Sequence, residues 1–175
     1  MFISCVPVSL FSRNLVEFRW LTVSDRDMKE TRTMIRKYQI EDTDAVVSVW
    51  RAASIFAHPF LTEAFLDQEA QNLRNAYLPF AETWVLEGGG DVIGFIALVD
   101  DEIAGLFLKP SFHGKGLGKA MVDHAVTLRG PLGVEVFQKN LNARQFYEHY
   151  GFVEFEEYLH EPSGQMTIKM AMPTA

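Results

Sequence analysis

The residues best placed to do chemistry lie where an apolar run ends, in Lys109-Pro110-Ser111-Phe112-His113-Gly114-Lys115-Gly116-Leu117-Gly118-Lys119-Ala120. Pro110 closes the run, the glycines let the backbone turn tightly and come close to a ligand, and Ala120-Met121-Val122 with Ala125 and Leu128 continues at helical spacing. A glycine-rich turn feeding a helix gathers unpaired N–H groups and the positive end of the helix dipole at one point, which is what a phosphate needs. Lys115 and Lys119 add positive charge there. Glycine turns of this kind also serve purely structural ends, so a second block carries weight. Asn140-Leu141-Asn142-Ala143-Arg144-Gln145-Phe146-Tyr147-Glu148-His149-Tyr150-Gly151-Phe152 follows the strand-like Gly133-Val134-Glu135-Val136-Phe137. Asn140 can cap a helix on which Ala143, Phe146, Tyr147 and Tyr150 share a face, and Gly151 provides its stop.

Positioning these blocks requires an alternation of strands and helices, which the rest of the chain supplies. Met34-Ile35-Arg36-Lys37-Tyr38 opens as a strand. Asp42 stands where a helix N-cap belongs, ahead of Ala45, Val46, Val49 and Trp50 at helical spacing toward Ala53. Thr62 caps a second amphipathic helix, with Phe65, Leu66 and Leu73 on its apolar side, that runs to near Tyr77 and is stopped by Pro79. Thr83-Trp84-Val85-Leu86 and Val92–Val99 are β-rich runs joined by a turn at Gly88-Gly89-Gly90, and Asp100-Asp101 turns the chain again. Ile103-Ala104-Gly105-Leu106-Phe107-Leu108 is nearly all apolar, as a strand buried on both faces must be. Phe152 starts a further strand, Pro162-Ser163-Gly164 turns, and residues Gln165 to Met172 form the last.

Composition bounds what the alternation can build. A chain of 175 residues, 48% hydrophobic, holds one substantial core and is short for two domains. The stretch from Phe2 to Phe11 is apolar, but Pro7 interrupts it, no basic region precedes it, and it falls far short of the roughly 20 residues a membrane span needs. Residues 1–33 therefore read as an upstream extension, with Met34 as an alternative initiator, and residues 34–175 as the domain. Cys5 is the single cysteine, which rules out an internal disulfide and fits a reducing, cytoplasmic setting. His58, His113, His124, His149 and His160 show no metal-ligand spacing, so no metal is expected; His124 and His149 read as solvated helix positions. The net charge of -7 argues against a nucleic-acid surface and weakly suits a cationic acceptor.

Taken together, the two blocks resemble the GCN5-related N-acetyltransferase superfamily. Its phosphate-binding pattern, Gln/Arg-x-x-Gly-x-Gly/Ala after a buried strand, is met by His113, Gly114, Lys115, Gly116, Leu117 and Gly118, with His113 in place of Gln/Arg. Its downstream Asn-x-x-Ala-x-x-Phe-Tyr-x-x-x-Gly-Phe pattern is met by Asn140, Ala143, Phe146, Tyr147, Gly151 and Phe152. The likeness extends from about Met34 to Met172, and Trp50-Arg51 through His58-Pro59-Phe60-Leu61 looks most like small bacterial acetyltransferases of the YjaB type. The resemblance implies an α/β (α+β) fold: one mixed, mostly antiparallel sheet of six to seven strands, flanked by about four helices, parallel where strands four and five splay apart.

The resemblance also implies a reaction. Acetyl-coenzyme A would lay its pantetheine arm against Leu106, Phe107 and Leu108 in the gap between the splayed strands. Its pyrophosphate would sit on His113 to Lys119, with Asn140 and Ala143 close by. A backbone N–H near Leu108 would stabilise the oxyanion formed when an amine attacks the thioester, a contribution of roughly 3 kcal/mol. Direct attack needs no nucleophile from the enzyme. Tyr147, a phenol of reference pKa about 10, would protonate the departing thiolate. Glu102, Glu135 and His58 are the candidates for base or acceptor contact, and Trp50, Phe56, Phe60 and Phe65 could line the acceptor pocket.

Two other classes share parts of this pattern. A catalytically silent coenzyme A sensor would keep the phosphate cradle without transfer, and retention of Tyr147 argues against it. A mononucleotide-binding protein would need a Gly-Lys-Ser/Thr ending or an acidic dinucleotide partner, and neither is present. The acceptor stays open among a protein N-terminus or lysine, a polyamine, an amino acid and an aminoglycoside-like drug. Homodimerisation is the common default.

Overall fold

The computed structural model describes residues 33–174; the extension expected over residues 1–33 lies outside them except for Thr33. Seven strands, β1 (Thr33–Lys37), β2 (Glu82–Gly88), β3 (Asp91–Val99), β4 (Glu102–Leu108), β5 (Gly133–Phe137), β6 (Val153–His160) and β7 (Gln165–Ala171), form one sheet in the order β1-β2-β3-β4-β5-β7-β6. Four α-helices accompany them: α1 (Thr43–Ala57), α2 (Glu63–Asn72), α3 (Leu117–Arg129) and α4 (Leu141–Tyr150).

The central strands are apolar throughout because helices cover both sides of the sheet. Phe95, Ala97, Ala104 and Phe107 pack with Val46, Val49, Trp50, Leu66 and Leu73 of the α1–α2 side. Ile93, Ile96, Leu106 and Leu108 pack with Met121, Val122, Ala125, Ala143 and Tyr147 of the α3–α4 side. Complete burial of a leucine- or phenylalanine-sized side chain contributes about 1.5–3 kcal/mol, so these two layers, meeting through β3 and β4, hold the centre of the sheet rigid.

Every strand pairing is antiparallel except β4 with β5, which is parallel and consists of Glu102↔Gly133 and Ile103↔Val134. Beyond those two positions β4 continues beside β3 as far as Gly94↔Leu108, and β5 continues beside β7 as far as Phe137↔Thr167. The sheet therefore opens between β4 and β5 toward their C-terminal ends, as the resemblance implied.

Three local expectations are corrected. Asp42 is the N-cap residue of α1, as expected, but its carboxylate makes no capping bond to the helix; it accepts from Arg36 at 2.7 and 2.8 Å and from the Gln39 N–H at 2.8 Å. The ion pair holds the carboxyl below the usual carboxylate range, the Arg36 hydrogen bonds being the main cause. The second helix keeps α geometry only to Asn72 and widens to a π turn over Leu73–Tyr77, which keeps Leu73 fully buried before Pro79. His124 is not a solvated position: its ring packs edge-on against Trp84 with centroids 4.4 Å apart. Thr62 behaves as expected, accepting from the Phe65 N–H at 3.2 Å.

Candidate active site

The glycine turn expected to cradle phosphate begins at the end of β4. Pro110–Phe112 make one 3-10 turn, Gly114 and Gly116 take positive φ of 72° and 76°, and Gly116 is the left-handed N-cap of α3. An L side chain resists that conformation, which is why glycine occupies it. The first helical bond runs from the Ala120 N–H to the Gly116 carbonyl at 3.0 Å, so the amides of Leu117, Gly118 and Lys119 precede the α3 ladder and point out of the helix start. Lys115 lies over the Phe112 ring at 4.8 Å. Lys119 is held 2.8 Å from both Asp123 oxygens, and Tyr150 donates to the same carboxylate at 2.7 Å. His113 turns back over β4, its Nε2 2.9 Å from the Leu108 carbonyl; burial lowers its pKa, with that bond opposing.

The edge of β4 next to the gap follows from its register. Lys109 donates to the Ile93 carbonyl at 2.9 Å, and Leu108 faces Gly94 one position earlier. Bonded and non-bonded pairs alternate along an antiparallel ladder, so the Leu108 amide is directed toward the side from which β5 has diverged. Leu106 shares that edge. The cradle and this edge lie end to end, as a diphosphate joined to an extended thioester arm requires.

The candidate acid and bases fall on opposite sides of the sheet. Tyr147 is completely buried among the α3–α4 layer, edge-on to Phe146 and Phe152 with centroids 5.0 Å away in each case. Glu135 alternates with Val134 and Val136, which face that layer, and so projects to the α1–α2 side. It is buried and accepts from the Tyr158 hydroxyl at 2.5 Å. Glu102, on β4 next to the strand that carries Glu135, has its pKa raised by burial first and by the neighbouring Glu135 charge second. The sequence carries no local signal for Tyr158, which follows the exposed Glu156 and Glu157 on β6.

His58 ends α1, its N–H donating to the Ser54 carbonyl at 2.8 Å. Its ring lies against Phe60 and Phe137, and its Nε2 is 3.0 Å from Asn140 Nδ2. Burial pushes its pKa down to about 4, so the ring is neutral at physiological pH. Asn140 caps α4 as expected, its Oδ1 accepting from the Ala143 N–H at 3.1 Å. Of the aromatic residues expected near the acceptor, Phe60 stands beside Phe137, Phe56 is exposed over His113, Phe65 is half-buried on α2, and Trp50 is a core residue. Among the described residues no group of three or more His, Cys, Asp or Glu side chains is arranged to hold a metal ion, and no helix is long and apolar enough to cross a membrane.

Comparison with known proteins matches this geometry to a family. The profile of the acetyltransferase (GNAT) domain matches residues 79–154. The peptidyl-lysine N-acetyltransferase YiaC of Escherichia coli is 32% identical over 120 residues, spanning 68% of this chain and 82% of that protein. The chain belongs to the GCN5-related N-acetyltransferase family. The peptidyl-lysine N-acetyltransferase YjaB of Salmonella typhimurium is 34% identical over 119 residues, 67% of this chain and 81% of its own. The solution structure of apo YjaB from Escherichia coli superposes with a TM-score of 0.74 at 24% identity, covering 82% of this chain and 99% of that one. The PaiA N-acetyltransferase of Thermoplasma acidophilum, solved in complex with coenzyme A, superposes at 0.69 and 18% identity, covering 79% and 98%. This GNAT protein is thus an N-acetyltransferase that takes acetyl from acetyl-coenzyme A to an amine.

Proposed function

We propose that the acceptor is the side-chain amine of a lysine in a protein, and that transfer takes place in a ternary complex in the opening between β4 and β5. The observation that carries the reading is the break in pairing after Ile103↔Val134, directly upstream of the glycine turn. It is the place where groups from the two sides of the sheet can reach one atom. The amides of residues 117–119 hold the pyrophosphate, assisted by Lys115 and Lys119, and the Leu108 amide receives the developing oxyanion. The amine enters from the α1–α2 side, past Phe60 and Phe137, and attacks the thioester carbonyl carbon. Glu135, with Glu102 beside it, accepts the proton the ammonium must lose, directly or through one water. The tetrahedral adduct collapses, the C–S bond breaks, and the Tyr147 phenol on the α3–α4 side gives its proton to the thiolate; the second proton, shed by the nitrogen as the adduct becomes an amide, passes through solvent and restores the tyrosinate to phenol. Two relatives named as peptidyl-lysine acetyltransferases support a lysine acceptor, as do carboxylates facing the entry side.

The test is thiol release from acetyl-coenzyme A with a panel of acceptors: a lysine peptide with a blocked N-terminus, a lysine-free peptide with a free α-amine, spermidine and an aminoglycoside. Turnover is expected with the first, with mass spectrometry placing the acetyl on Nε. Turnover confined to the α-amine or to a small polycation would reject the lysine assignment and leave the transferase intact.

A further inference from the structure

The hydrogen bond between His58 and Asn140 joins residues 82 positions apart and is buried at both ends. Its polarity is fixed by its neighbour. Asn140 Oδ1 is engaged by the Ala143 N–H, so the carboxamide presents its NH2 to His58, and His58 Nε2 must be the unprotonated acceptor. The proton of the neutral ring therefore sits on Nδ1. A ring so engaged cannot take a proton at Nε2 without setting one N–H against another.

The location is as informative as the polarity. His58 closes α1, which packs on one side of the sheet, and Asn140 opens α4, which packs on the other. Asn140 also donates its own N–H to the Phe137 carbonyl at 2.8 Å, at the end of β5, and Phe137 lies edge-on to the His58 ring at 5.2 Å. The bond thus joins the two sides of the sheet at the C-terminal end of β5, beyond the point where β4 and β5 cease to pair. We propose that His58 is a positioning residue: it latches the Asn140 carboxamide across the opening, fixing the start of α4 and with it the Tyr147 phenol two turns along, and it is not the base. The inference rests on the transfer reading above only for its kinetic consequences; the latch itself is a property of the free protein.

The latch distinguishes two substitutions. His58→Leu removes the Nε2 acceptor and with it the buried bond to Asn140, whereas His58→Gln can offer Oε1 where Nε2 stood. We expect kcat per folded enzyme to fall about tenfold to a hundredfold in H58L, as a misplaced catalytic group costs, and H58Q to recover most of that loss. The double variant H58L/N140A should be no worse than N140A, because both remove one interaction. In NMR of the unsubstituted protein, the His58 ring nitrogens should report the neutral Nδ1–H form, unchanged between about pH 5.5 and 8. H58Q as impaired as H58L, H58L with full kcat, or a His58 ring titrating within that range would each overturn the latch. Should H58L not fold, the H58Q kinetics and the ring shifts still decide. Absence of turnover in the unsubstituted protein with every amine would count against the transfer reading alone, since the ring shifts test the latch without it.

Discussion

At the scale of single residues, the chemistry separates into groups that meet charge and groups that hold geometry. Tyr147 is fully buried, so its phenol is shielded from water until a thioester enters the opening. Tyr147→Phe keeps the ring contacts with Phe146 and Phe152 and removes the proton, so kcat should fall about tenfold to a hundredfold, while the coenzyme A dissociation constant, read by calorimetry, stays close to its original value. Glu135 is proposed as the base and Glu102 as its neighbour, so Glu135→Gln should depress kcat/KM much more than Glu102→Gln does in the same thiol-release assay. Glu102 has a further consequence. Its folded-state pKa is raised, so the folded chain binds that proton more tightly than the unfolded chain, and stability falls as pH rises from the unfolded value through the folded one. Glu102→Gln should therefore raise the melting temperature at pH 7–8 and leave it unchanged below about pH 4.5, the ordinary glutamate range, which calorimetric melts at the two pH values would check.

Elements position these residues through turns and interruptions more than through regular structure. Gly116 shows this directly, because a Cβ there would meet nothing within 4 Å and the only obstacle is its positive φ. Gly116→Ala should cost about 1–2 kcal/mol of stability from that conformation, and coenzyme A affinity should fall further as the following amides rotate out of line; denaturant melts and calorimetry separate the two effects. The same locality explains what could be read from sequence. The end of β4 at Pro110, the glycine turn, the Asn140 cap and the Gly151 stop each depend on residues within a few positions of one another, and each stands where expected. Asp42 holds the N-cap position without capping through its side chain, because its carboxylate answers to Arg36 and, through that guanidinium, to Glu87, which shares Arg36 from β2. The π turn after Asn72 likewise reflects the demand of the core for Leu73 and carries no local signature.

For the whole molecule, the decisive feature is that one gap in an otherwise continuous sheet links its two sides. Glu135 with Tyr158 and His58 with Asn140, the two pairs proposed to act in transfer, lie far apart in the chain and meet only through sheet order and helix packing. No periodicity encodes such a meeting, so neither the Tyr158 contact nor the Asn140 partner of His58 is legible in the sequence. Among the described residues the buried apolar core runs from Val46 to Met170, and β1 keeps most of its pairing with β2 when the chain starts at Met34. A chain of residues 34–175 is expected to fold cooperatively and keep its turnover, as circular dichroism and the thiol-release assay would show.

The placement of the cosubstrate is tested most directly by amide NMR during titration with coenzyme A. The largest shifts are expected at residues 114–119 and at Leu106 and Leu108, saturating together, with β1 and β6 little changed. Shifts that leave the glycine turn and the β4 edge untouched while another surface responds would contradict the assignment of the opening as the acetyl-transfer site.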